Sequence, residues 1–84
     1  MPKLSEFYGI IIRMYFKQSE HNPPHMHAIY GETTAAIDLR TGAILDGELP
    51  LTALKMVQEW LGLHRDKLME IWETQEFKNV EPLE

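Results

Sequence analysis

The chain has 84 residues, 44 % of them hydrophobic and 25 % charged, with a net charge of −5 and no cysteine. That length supports one small core rather than two, and the composition is that of a folded globular protein; the missing thiols exclude a disulfide framework and any cysteine nucleophile or ligand. Neither half is basic, so tight nonspecific nucleic-acid binding has no electrostatic footing beyond a local cationic pocket of Arg13, Lys17 and Arg40.

The start, MPKLSEFYG, lacks the apolar stretch of a secretory signal, and no apolar run approaches the ~20 residues of a membrane span. A cytoplasmic location without a membrane partner is expected. The first strand is read in FYGIIIRMYF, residues 7–16, which is rich in β-branched and aromatic side chains. Period-2 alternation puts Ile10, Ile12, Met14 and Phe16 on one face and Ile11, Arg13 and Tyr15 on the other. KQSEHNPP follows as a loop, because two prolines remove two backbone donors and push the residues before them into extended geometry.

From His25 to Glu48 the pattern is strand, turn, strand, turn, strand. Gly31 stands first in a two-residue hairpin turn with Glu32, as type II′ requires, and Arg40, Thr41 and Gly42 make a three-residue loop. Counting back from the first turn pairs Tyr30 with Thr33, Ala28 with Ala35, His27 with Ala36, Met26 with Ile37 and His25 with Asp38. Counting from the second pairs Leu39 with Ala43, Asp38 with Ile44, Ile37 with Leu45 and Ala36 with Asp46. One face then collects Met26, Ala28, Tyr30, Ala35, Ile37, Leu39 and Leu45 as core. The other collects His25, His27, Ile29, Asp38, Ile44, Asp46 and Glu48, joined by Arg13 and Tyr15 from the first strand.

Residues 50–77 are helical by apolar spacing at Leu54, Val57, Leu61, Leu68, Ile71 and Trp72, with Pro50 in the first turn. One long helix and two helices bent near Gly62 both fit. Residues 78–84 have no period and read as a frayed or partner-seeking tail. The expected fold is therefore one α+β domain over residues 1–84, an antiparallel sheet of about four strands with a C-terminal helix or helix pair packed on one face.

The chemistry gathers in HNPPHMH, residues 21–27. On a strand His25 and His27 share a face, about 6–7 Å apart. With His21 across the proline turn they form a candidate three-imidazole site for a divalent metal, zinc or manganese, with Asp38 as the carboxylate that orients His25. A metal-free alternative uses His25 or His27 as general base, Asp38 as orienter, Arg13 as cationic stabiliser and Tyr15 as a hydroxyl, the parts of phosphodiester cleavage. A third reading is structural: Asn22 caps the turn, Pro23 and Pro24 stiffen it, and the imidazoles pack at a sheet edge or partner interface. Trp60 and Trp72 read as core anchors, and His64 as a helix histidine or the cap of a second helix.

The stretches FYGIIIRMYF, EHNPPHMHA, AAIDLRTGAILDGELP and LKMVQEWLGLHRDKLMEIWE together resemble domain-of-unknown-function (DUF) family 4160 of small bacterial proteins. The motif that carries the resemblance is acidic-His-Asn-Pro-Pro-His-x-His. Glu20 stands here where the family usually has Asp, which keeps the charge on a longer arm. The resemblance implies the motif residues His21, Asn22, Pro23, Pro24, His25 and His27, with no activity attached, and members suspected of forming toxin–antitoxin-like pairs. On this reading the protein associates with a small protein partner through its HNPPHMH face. The rival is a His-dependent nuclease or metal-assisted hydrolase on the same face, nucleic acid entering only as its substrate. An uncovered sheet face or β edge also leads us to expect a homodimer.

Overall fold

The computed structural model describes residues 3–14 and 23–83. Five strands, β1 (Lys3–Phe7), β2 (Ile10–Arg13), β3 (His25–Tyr30), β4 (Thr33–Asp38) and β5 (Ile44–Gly47), precede one helix, α1 (Leu51–Thr74). The strands form a single antiparallel sheet in chain order, and the molecule is α+β as expected. No helix among the described residues is long and apolar enough to cross a membrane.

The first apolar stretch is a hairpin rather than a single strand. Tyr8 and Gly9 both have positive φ (50° and 80°), the sign pattern of a type I′ turn, and this turn folds Lys3–Phe7 back on Ile10–Arg13. The fifth strand arises there. Ile10, Ile12 and Met14 are buried as the alternation predicts, while Phe16 and Tyr15 lie outside the described residues.

The β3–β4 register is the predicted one at every pair, from His25 opposite Asp38 to Tyr30 opposite Thr33. Gly31 has φ 61° and Glu32 does not share the positive sign, as a type II′ turn needs. Tyr30, expected in the core, is 39 % exposed at the end of β3, where its ring packs towards Gly9.

The next turn differs. Asp38 N donates to Ala43 O and Gly42 N to Asp38 O, so the loop is the four residues Leu39–Gly42 rather than three. Ile37 therefore faces Ile44, and Leu45 bulges out before Ala36 meets Asp46 in the predicted register. The physical reason is Leu39, which leaves the ladder early to bury itself completely, its N–H donating to Pro24 O and its carbonyl accepting from Arg65 Nε. The bulge reverses two expectations: Leu45 is 45 % exposed on the outer face, and Ile44 turns to the core.

Helix α1 covers the inner face with Ala53, Val57, Trp60, Leu61, Leu68 and Ile71. Pro50 is its N-cap rather than a first-turn residue, and the helix ends at Thr74 on Gln75 in a left-handed C-cap. It bends at His64 (φ −125°, ψ 16°), two residues past Gly62, where the imidazole ring lies 5.3 Å from that of Trp60. The final segment is docked rather than frayed: Val80 is buried, its N–H donates to Leu4 O, and Glu81 O accepts from Trp60 Nε1.

Candidate functional site

With α1 on one face, the opposite face of the sheet carries the residues of chemical interest. Register aligns Arg13, His27, Ala36 and Asp46 as one row across β2 to β5, with Ile11, Ile29 and Thr34 as the row beside it. Neighbours in such a row stand about 4.5–5.5 Å apart, close enough for side chains to interact. His25, His27, Arg13 and Asp38 thus reach the strand positions expected of them. His21, Asn22, Tyr15 and Lys17 lie outside the described residues, and so do the third imidazole and the hydroxyl of the two chemical readings.

The proline turn positions His25 through its carbonyls. Pro23 O accepts from His25 Nδ1 at 2.8 Å, while Pro24 O accepts from Leu39 N at 2.9 Å, so both carbonyls are used although neither residue has an N–H to give. The bond to Pro23 fixes the tautomer, which leaves Nε2 as the acceptor nitrogen of the neutral ring. His25 is only 8 % exposed, and its ring packs edge-on to His27 (centroids 5.3 Å) and against Trp72 (5.1 Å) from the last turns of α1. Trp72, packed against the core as its helical spacing predicts, thus also backs the His25 ring.

Asp38 does not orient His25. Its Oδ1 accepts from Arg40 N at 2.7 Å and lies 3.5 Å from Arg40 Nε, closing the Leu39–Gly42 loop from within. Burial works against its ionisation, but the Arg40 N–H and guanidinium outweigh that and hold the carboxyl below its ordinary value. Arg40 is thereby committed to this turn and not to a cationic pocket with Arg13. Between His25, His27, Pro23, Ala36, Leu45 and Asp46 lies a shallow pocket of about 360 Å³. Among the described residues no three His, Asp or Glu side chains converge to hold a metal ion.

Burial, reinforced by His25 and opposed by Asp46, lowers the pKa of His27 below its ordinary 6.5. As pH falls below about 6.5 the unfolded chain takes up a proton that folded His27 refuses, so folding stability declines from there down to the folded pKa. Asp38 adds a second decline: its stabilisation is complete above about 3.8 and is lost as pH drops through its lowered folded value. Urea midpoints are expected to fall as pH is lowered from about 7.5, and His27→Asn is expected to remove the part of the fall that sets in below about 6.5. A slope unchanged in that variant would place the proton uptake elsewhere.

No curated protein and no solved structure matches this chain. The family model described as Domain of unknown function (DUF4160) matches residues 9–73, from the turn before β2 to the last residues of α1, and the chain belongs to that family.

Proposed function

We propose that this protein acts by binding a small protein partner, within a toxin–antitoxin-like pair, through the sheet face that α1 leaves uncovered. The observation that carries this reading is the make-up of that face. An antiparallel sheet with one covered face ordinarily turns polar side chains outward. Here Ile11 pairs with Ile29 on that face and Leu45 stands 45 % exposed, beside Arg13, His27 and Asp46. Apolar groups interleaved with a few charges are the composition of a recognition surface.

Cross-linking and isolation of the tagged chain at its native level identifies the partner, and methyl spectra of the reconstituted pair locate it. Shifts are expected on Ile11, Ile29, Ala36 and Leu45, and not on Leu51 or Leu63, which are 65 % and 66 % exposed on α1. Shifts confined to those two leucines sink the reading. Growth arrest on producing one member alone, relieved by the other, is the behaviour expected of a toxin–antitoxin pair.

A His-dependent nuclease or metal-assisted hydrolase is the second reading, with His21, His25 and His27 as ligands of zinc or manganese. What favours it is the fixed Nδ1–H of His25, since a backbone carbonyl on one imidazole nitrogen is how the other is aimed at a metal or a proton. Turnover of RNA or DNA by the isolated chain, abolished in a folded His27→Ala variant, favours it over binding alone.

A further inference from the structure

The pocket on the outer face is lined by the acceptors His25, His27 and Asp46 together with Pro23, Ala36 and Leu45, and no lysine or arginine is in that lining. His25 is more than nine-tenths buried in its wall, and with Nδ1 given to Pro23, Nε2 is left without a partner among the described residues. Burial and the neighbouring His25 bias His27 to its neutral form, and the exposed Asp46 supplies a carboxylate from β5. Ala36, Leu45 and the Pro23 ring make the rest of the lining apolar.

A metal ion needs its ligands to converge to about 2.0–2.2 Å from one point, and among the described residues no three His, Asp or Glu side chains do so. A guanidinium spreads five donors over a plane and stacks on aromatic faces, so it serves two acceptors without requiring them to meet at one point. From these observations we infer that the pocket receives an arginine side chain of the protein partner. Its stem lies on Ala36, Leu45 and Pro23, and its guanidinium donates to the Asp46 carboxylate and to His25 Nε2. Arg13 does not oppose this, because it stands on β2 beyond His27, three strand steps from Asp46, and is not part of the lining. The net charge of −5 draws a basic partner towards the surface.

This inference rests on the partner-binding reading and narrows it to a partner with an exposed arginine. The test uses the whole chain and N-acetylarginine amide as probe, followed by the methyl signals of Ala36 and Leu45. Saturable shifts are expected, with an affinity at least fivefold weaker for Asp46→Asn and for the neutral isostere N-acetylcitrulline amide, and no binding by Asp46→Lys. Asp46 is exposed, so neither variant threatens the fold. Equal shifts with the citrulline probe, or an affinity indifferent to Asp46→Asn, overturn the inference. Since no partner is present in this titration, such a failure removes the arginine and leaves partner binding to its own experiment.

Discussion

Gly47→Ala is expected to destabilise the protein by about 3–5 kcal/mol, read as a lowered urea midpoint at unchanged slope. Two costs act together. Gly47 has φ +82°, a conformation that costs a residue with a Cβ roughly 1–2 kcal/mol. The added methyl would also sit 2.1 Å from Thr34 O and 3.0 Å from Ala35 Cα. Both obstacles are backbone atoms of β4, so neither can rotate away as a flexible side chain would. Relief requires β5 to separate from β4, where Ala35 faces Gly47. Gly31→Ala is the matched control, because Gly31 also has positive φ (61°) but meets nothing within 4 Å of the added carbon. Its expected cost is only about 1–2 kcal/mol. Equal losses at the two positions would show that the close approach of β4 and β5 contributes nothing. Because β5 presents Leu45 and Asp46 to the outer pocket, Gly47→Ala should weaken the arginine probe as well.

The same junction shows where sequence pattern succeeds and where it fails. Gly31 and Glu32 admit one short turn, and a short turn dictates register, so the placement of His25 and His27 on one face opposite Asp38 and Ala36 was legible from period and turn type. At Arg40–Gly42 the glycine was also correctly placed, with φ 79°, but the loop takes in Leu39 because that side chain gains more by burial under α1 than by staying in the ladder. A competition between a ladder hydrogen bond and tertiary packing has no local signature. The bulge at Leu45 then restores register and exposes an apolar side chain. The β1–β2 turn was hidden for another reason: tyrosine at positive φ is uncommon, and Tyr8 offers none of the side-chain hydrogen bonding that marks Asn or Asp in such turns.

Within the site, chain alternation reveals which face a residue takes but not which atoms it bonds. Asp38 and His25 stand opposite each other as alternation predicts, yet the carboxylate turns to the N–H of Arg40, two residues along its own chain, a local bond that costs little entropy to form. His25 takes its orienting partner from the proline turn instead. Of the two helical alternatives, the one with a bend near Gly62 is the nearer: α1 departs from helical geometry at His64, two residues on, where the imidazole packs on Trp60, while Trp72 further along packs on His25.

Trp60 is the second position where a large loss is expected. Its side chain is fully buried, its ring lies 5.5 Å from Phe7 of β1 and 5.3 Å from His64, and its Nε1–H donates to Glu81 O at 2.7 Å. One residue thus joins helix, first hairpin and final segment. Trp60→Ala removes all of these contacts and is expected to cost about 3–5 kcal/mol in global stability, in the range for large aromatic-to-alanine changes in cores. Trp60→Phe keeps most of the apolar volume but leaves the Glu81 carbonyl without its donor, an expected cost of about 1–2 kcal/mol. The two variants should also differ in where they loosen the molecule. Val80 N–H, bonded to Leu4 O, lies beside the lost contact, so Trp60→Phe should speed its amide exchange about tenfold while β3 and β4 amides change little. Exchange at Val80 as slow as in the parent chain would mean that Val80 and Leu83 packing and the bond to Leu4 O hold the final segment, and that the indole hydrogen bond has no part in docking it.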